Sequence, residues 1–306
     1  MKKVIGIRVD IDFEIGLTKG VPFLLNFFKR MDLQATFFVT MGSDGFRHSR
    51  KRLNSKNYLR RVSSFGIMNI ISRFGLPYLT KQFIGLSGKV GVSHPEILNE
   101  IIQRGHDIGA HGYDHYWWAE NVYTAEERLI KRDMENGVQA LKSAIGSETE
   151  SWASPNWRCS KHSLKIIDEY DFMYGADCRG ESPFFPQIDG WQAKKIQLPI
   201  SLSCLHEVKQ ALGTGNRDKI INCLMAQLKD RYNLLCIHGY YEGILERKMF
   251  MEFIEKAKGE GFRFVPMKTL FEGLEKKEVP VCEIIRKELP GGRGQVSCQG
   301  RRIIQS

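Results

Sequence analysis

Short β-rich runs alternate with longer helical patterns along most of the chain, and this alternation fixes the fold class before any single residue is considered. The runs KVIGIRV (3–9), ATFFVT (35–40), DIGAH (107–111), KIQLPI (195–200), YNLLCIH (232–238) and FRFVP (262–266) read as strands. Between them, helical patterns fall near 20–31, 95–104, 124–145, 160–170, 216–230 and 247–260. Strands joined through helices run parallel, because a crossover is needed to return the chain to the same end of a sheet. The expectation is an α/β fold, a barrel or an open sheet, with strand C-terminal ends gathered on one side. There is no internal repeat. Ser93 before Pro95 and Glu96, and Thr124 three residues before Glu127, supply start signals for two of the helices. After about Lys276 the chain is Gly- and Arg-rich, the composition of a partly disordered tail. The expected organisation is one domain over 1–275 carrying an insertion over 45–93, and a tail over 276–306.

With 306 residues and 42% hydrophobic content, there is material for a substantial buried core. A net charge of +10 raises nucleic acid and anionic membranes as partners, and its distribution decides between them. From Gly45 to Pro95 there is no Asp or Glu, whereas Arg47, Arg50, Lys51, Arg52, Lys56, Arg60, Arg61, Arg73, Lys81 and Lys89 supply ten charges, equal to the whole net excess. Inside this insertion Ile67, Ile70, Ile71 and Phe74 fall at helical spacing and make one apolar stripe near Arg60 and Arg61, with Pro77 ending or kinking the helix. Such a stripe either packs on a core or lies in a membrane interface, where each flanking arginine is worth about 1 kcal/mol. Nucleic acid is not expected, because the basic residues are not interleaved with stacking aromatics through several elements. The opening MKKVIGIRVDID meets an acid too soon for a signal peptide, and no stretch approaches the roughly 20 apolar residues of a bilayer span. The expectation is therefore a cytoplasmic protein. Seven cysteines, without a CxxC pair, point to reduced structural thiols rather than a disulfide framework or a cysteine zinc site.

The chemistry is concentrated at the ends of three of the apolar runs. The first ends in RVDID, where alternation places Arg8, Asp10 and Asp12 on one face. Burying two acids without a purpose is costly, although a solvated strand end capping a helix would also explain them. AHGYDH follows another run and offers His111 and His115 at i and i+4, a spacing at which two imidazoles can reach one metal from a single helical turn. HxxxH alone is weak. Joined to a carboxylate from RVDID it makes a two-His, one-carboxylate site with open positions for water and substrate. The Glu of HExxH proteases is absent, so Asp10 and Asp12 offer one carboxylate to the metal and one as base. LLCIH places His238 at a third strand end, and in a parallel barrel these ends meet at one mouth. SPNWR (154–158) and DCRG (177–180) read equally well as turn chemistry.

RVDID, HGYDH, NWR, DCRG and LLCIH, in that order, resemble the five motifs of the polysaccharide deacetylase (NodB-homology) family of metal-dependent carbohydrate amide hydrolases. GVPF (20–23), QATFF (34–38), DCRG followed by PF, and the long insertion resemble one branch of it, the deformylases of undecaprenyl-phosphate-linked formamido-arabinose in lipid A modification. The resemblance implies a distorted (β/α) barrel of about seven parallel strands, with 1–275 as the catalytic domain. It implies Asp10 as general base, Asp12, His111 and His115 as ligands of one divalent metal (Zn, Co, Mn, Ni or Fe), and His238 as general acid. Arg158 matches an arginine that orients the base, and Asp177 an acid that supports the catalytic histidine. Two departures stand out: Ile11 splits the family's adjacent aspartates, and SPNWR replaces the usual Arg-Pro-Pro-Tyr. The implied partners are the lipid-linked amino sugar and the anionic inner face of the cytoplasmic membrane, met by the basic insertion. N-deacetylation of another lipid-linked or polymeric amino sugar and an allantoinase-like activity are the alternatives within the family, and a basic nucleic-acid-binding module is the alternative outside it.

Overall fold

The computed structural model describes residues 3–43, 88–290 and 294–304. The stripe residues Arg60, Arg61, Ile67, Ile70, Ile71 and Phe74 lie outside the described residues. The element order is β1 (Val4–Ile11), α1 (Val21–Met31), β2 (Thr36–Val39), α2 (Pro95–Gln103), β3 (Asp107–Ala110), α3 (His115–Asn121), α4 (Glu127–Ile145), β4 (Ser151–Trp152), α5 (Lys161–Glu169), β5 (Tyr174–Gly175), β6 (Phe185–Ile188), β7 (Trp191–Gln192), α6 (Leu205–Ala211), α7 (Arg217–Met225), β8 (Leu234–His238), α8 (Arg247–Gly259), β9 (Arg263–Val265), α9 (Met267–Glu272), β10 (Val281–Glu288) and β11 (Gln295–Ile303).

The main sheet runs β5-β4-β3-β2-β1-β8, with β9 paired to the start of β1, and every pairing in it is parallel. β1 is buried along its whole length, as a central strand covered on both faces should be. Its odd-numbered residues Ile5, Ile7, Val9 and Ile11 join Leu24 and Phe28 of α1 and Phe250 of α8 in the outer core. Its even-numbered residues face the barrel interior, where a side chain at Gly6 would collide with Leu270 of α9 and Leu234 of β8. The 195–200 run forms no regular strand. It closes the barrel instead: Gly175 N–H donates to Ile196 O (2.9 Å) and Ile200 N–H to Cys178 O (3.1 Å), while Ser201 and Leu202 N–H both reach Leu234 O (3.2 Å). The result is the expected distorted barrel.

The helix starts differ in detail from the sequence signals. α2 is preceded by His94 rather than capped by Ser93, and the His94 ring lies 3.1 Å from Glu14 Oε1. Thr124 turns its hydroxyl back to Asn121 O (3.5 Å), at the end of α3, so the capping box read at 124–127 does not form. The reciprocal cap occurs at α5 instead, between Ser160 and Ser163. Among the described residues no helix is long and apolar enough to cross a membrane, and all seven cysteines are free thiols.

The described residues of the tail carry two strands. β10 and β11 form an antiparallel hairpin, and β10 adds in parallel to β6, giving a second sheet ordered β11-β10-β6-β7. β11 then braces the barrel. Arg179 N–H donates to Ser297 O (2.9 Å), Gln299 N–H to Arg179 O (2.7 Å), and Cys159 N–H to Ser297 Oγ (3.0 Å). The tail thereby fixes the segments that carry Trp157, Arg158 and Asp177.

His106, just before β3, packs its ring against Phe28 and Phe37 and accepts the Ala35 N–H at Nδ1 (3.2 Å). Burial, with help from Arg104, pushes its pKa down to about 4. The folded value lies below the unfolded one, about 6.5, so this contribution to stability is whole above pH ~6.5 and is lost as pH falls toward 4, a change of about 3 kcal/mol. His106→Asn should flatten stability against pH across that window in urea titrations. An unchanged slope would remove His106 as a source of acid sensitivity.

Candidate active site

β1 delivers the first three polar groups. Arg8 is fully buried and grips Asp10 with both arms of its guanidinium, Nε to Oδ1 at 2.6 Å and Nη2 to Oδ2 at 2.8 Å. Its remaining donors reach Ala176 O (2.5 Å) and Ser154 O (3.5 Å), beyond β5 and β4, so a cation is held across the barrel interior by backbone carbonyls. Burial by itself pushes the Asp10 carboxyl up, but Arg8 and then His111 outweigh it and hold it below its ordinary value. Asp12 follows the strand end, and there His115, with His111 and His238, overcomes the burial penalty and holds the carboxyl far below its usual range.

His111 directly follows β3 and His115 begins α3, so the two rings do not converge from a helical turn. Between them the chain reverses through Gly112, at φ 75°, and Asp114 caps α3 by accepting the Trp117 N–H (2.8 Å). The turn is clamped from α4. Asp133 accepts the Tyr113 N–H (3.1 Å) and the Asp114 N–H (2.9 Å), and Gly137 lies so close that an added Cβ would sit 2.9 Å from the Gly112 carbonyl carbon. Burial pushes the Asp133 carboxyl up to about 7, against the pull of those two amides.

The His111 Nδ1 lies 2.7 Å from Ala153 O. A carbonyl only accepts, so Nδ1 carries a proton, and in the neutral ring Nε2 presents its lone pair to the site. That Nε2 stands 3.5 Å from Asp12 Oδ1 and 3.6 Å from Asp10 Oδ2, and His115 Nε2 is 3.5 Å from the same Asp12 oxygen. Ligand atoms of Asp12, His111 and His115 lie within 4.8 Å of one another. Asp12 Oδ1 and His111 Nε2 are buried and take no hydrogen bond. Two buried acceptors facing each other are costly unless a cation lies between them, so the donor set fits a divalent metal.

His238 ends β8 directly opposite Asp10 in the strand register. Its backbone N–H donates to Glu242 Oε2 (2.7 Å), and its ring meets those of His206 (5.4 Å), Tyr240 (5.8 Å) and Trp157 (6.4 Å) edge-on. The structure thus brings Asp10, Asp12, His111, His115 and His238 to one mouth. It does not bring Arg158 onto Asp10. Arg158 donates to Ala119 O and lies 5.8 Å from the Tyr123 ring, and the guanidinium on Asp10 is that of Arg8. Nor does Asp177 reach His238. Its carboxylate accepts from Ser154 N–H (3.0 Å), Ser154 Oγ (2.6 Å) and Gln197 Nε2 (2.7 Å), bonds that offset only part of the upward push of burial on its pKa. Alternation along RVDID signalled Arg8. Asp133 and Glu242 had no sequence signal beyond being acids in amphipathic or polar stretches.

A parallel β/α barrel with a two-His, one-Asp donor set and a separate Asp/His pair at its C-terminal mouth defines the architecture of a metal-dependent hydrolase. The chain belongs to the polysaccharide deacetylase family, whose model matches residues 2–175. It is 30% identical to the probable 4-deoxy-4-formamido-L-arabinose-phosphoundecaprenol deformylase ArnD of Shewanella sediminis (strain HAW-EB3), covering 98% of this chain and 95% of that one. The protein of the same name from Wigglesworthia glossinidia brevipalpis is 29% identical over 94% of this chain and 100% of its own length. Among solved structures, a Mycobacterium smegmatis protein assigned as a polysaccharide deacetylase superposes with a TM-score of 0.61 at 18% identity, covering 94% of this chain and 96% of that one, a likeness of fold.

Proposed function

We propose that this chain hydrolyses the N-formyl group of an undecaprenyl-phosphate-linked 4-formamido-4-deoxy-L-arabinose, releasing the amino sugar and formate. The observation that carries the reading is the Asp12, His111 and His115 set, with buried unsatisfied acceptor atoms on Asp12 and His111, beside an ionised Asp10 and opposite His238. The names of the two full-length relatives support the substrate. Asp12, His111 and His115 would hold one divalent ion, which when bound supplies polarisation of the amide carbonyl and a lowered pKa for water. Asp10 takes the proton of the attacking water, and Arg8 keeps it ionised and aimed. His238 gives a proton to the departing sugar nitrogen as the C–N bond breaks, which is needed because an amide anion is a very poor leaving group. Ala153 O sets the His111 tautomer and Asp133 sets the turn to His115.

Protein supplied with divalent metal should remove about 28 mass units from the formamido-arabinose phospholipid, and an N-acetyl analogue should lose about 42 mass units slowly if at all. Loss of acetyl alone would move the assignment to deacetylation. Asp12→Ala and His111→Ala should each lose bound metal as read by elemental analysis. The membrane surface as a partner, and association with the inner face of the cytoplasmic membrane, rest on the basic apolar sequence of residues 58–81. Deleting that segment should lower the rate on the membrane-borne lipid and spare a short-chain soluble analogue. Equal loss on both would overturn the membrane reading.

A further inference from the structure

Two further metal-ligating side chains, Cys204 and His206, which the proposed reaction does not use, form a second group with His238. Cys204, His206 and His238 are all buried, and a ligand atom of each lies within 4.8 Å of the others. The fold places them deliberately close. The segment that closes the barrel runs onto β8 through the Leu202 to Leu234 hydrogen bond, and α6 starts immediately afterwards, with Cys204 at its N-cap and His206 in its first turn. The His206 ring then stands edge-on to that of His238, at 5.4 Å between centroids and 71° between planes.

The backbone around the group is braced by Glu207 and Arg179, and Arg179 Nη1 also reaches Cys204 Sγ (3.9 Å). Glu207 Oε2 accepts the Cys204 N–H (2.8 Å) and pairs with Arg179 (3.2 Å), and Arg179 also donates to Leu202 O (3.0 Å). Little rearrangement is therefore needed for the sulfur and two imidazole nitrogens to close on an ion, since ligand atoms around a tetrahedral zinc stand roughly 3.3–3.8 Å apart. His238 is also within 4.8 Å of Asp10 and Cys236, but both oxygens of Asp10 are held by Arg8, so that grouping belongs to the active site itself.

We propose that Cys204, His206 and His238 form a second cation site, selective for a soft divalent ion such as zinc, whose occupation shuts off turnover. The donor chemistry separates it from the first site: one sulfur and two nitrogens, against two nitrogens and a carboxylate. Binding takes the sulfur as thiolate, releases its proton to solvent, and engages the imidazole lone pair of His238. The inhibitory half of the proposal rests on His238 being the general acid, whereas the binding half does not.

The test is a cobalt titration of the full-length metal-free protein. The first equivalent should give a spectrum without sulfur character. The second should bring in a thiolate-to-cobalt charge-transfer band in the near ultraviolet. Cys204→Ser, which keeps a good N-cap residue, should bind one equivalent and lose the band, and His206→Asn should weaken the second equivalent while leaving the first intact. Excess zinc should inhibit the wild type by about tenfold or more, as loss of a general acid would, while leaving Cys204→Ser uninhibited. Saturation of the wild type at one equivalent with no thiolate band, or a band that survives in Cys204→Ser, overturns the site. A second equivalent with the band but no zinc inhibition overturns the regulatory role. Because cobalt binding is read without substrate, these results stand apart from any failure of the deformylase reading.

Discussion

Asp10→Asn is expected to lower kcat by about 10²–10⁴ while leaving the metal content of the protein unchanged. Asparagine keeps the size of the side chain and can still accept a hydrogen bond from Arg8, but it cannot take a proton from water. Metal binding should survive because the unsatisfied acceptors that face each other are Asp12 Oδ1 and His111 Nε2, neither of which belongs to Asp10. A cost in stability accompanies the change. The fully buried Arg8 is kept charged against its burial chiefly by Asp10, and a neutral partner removes that compensation. Turnover must therefore be measured on protein shown to be folded by its thermal transition and loaded by elemental analysis. A near-normal kcat in such a sample would sink the assignment of Asp10 as base.

The parts of the fold that were legible in the sequence are those in which several consecutive residues report the same environment. β1, β2 and β8 are largely apolar runs buried along their whole length, β3 is buried in its second half, and the polar residues at the ends of β1, β3 and β8 are the site. β4 and β5 are two residues each, too short for any periodicity, and they exist because Ala110 and Trp152 extend the ladder begun by longer neighbours. The strands of the tail were missed for a different reason. Gly and Arg dominated its composition, while VCEIIRKE and QVSCQGRRI carried enough strand character to pair with each other and with β6.

The site shows the same division. Asp10, Asp12, His111, His115 and His238 are polar groups where an apolar run stops, a signal local in sequence. The roles matched to Arg158 and Asp177 depend on contacts between segments far apart in the chain, and these contacts put Arg158 on Ala119 and Asp177 on Ser154 and Gln197. HxxxH spacing was informative about chemistry and wrong about geometry. The i and i+4 histidines converge because Gly112 can adopt a left-handed conformation and Asp133 pins the two amides that follow. A helix carrying both rings would have needed neither.

Arg8→Met should be at least as damaging as loss of the base, and for a reason that can be separated from simple misfolding. The side chain makes the two bonds that aim Asp10 and bridges β1 to the segments beyond β4 and β5 through Ser154 O and Ala176 O. Methionine fills much of its volume but leaves a buried carboxylate with no counter-ion, a loss of about 3–5 kcal/mol in unfolding free energy. In the Asp10→Asn background the same substitution leaves no such charge, so its cost in stability should drop by more than about 1 kcal/mol. The kinetics should couple in the same direction: Arg8→Met lowers kcat with KM little changed when Asp10 is present, and adds almost nothing once the base is already asparagine. A purely structural arginine would cost the same in both backgrounds. Additive losses, in stability and in kcat, would separate Arg8 from the work of Asp10 and return the orienting role to another residue of the barrel mouth.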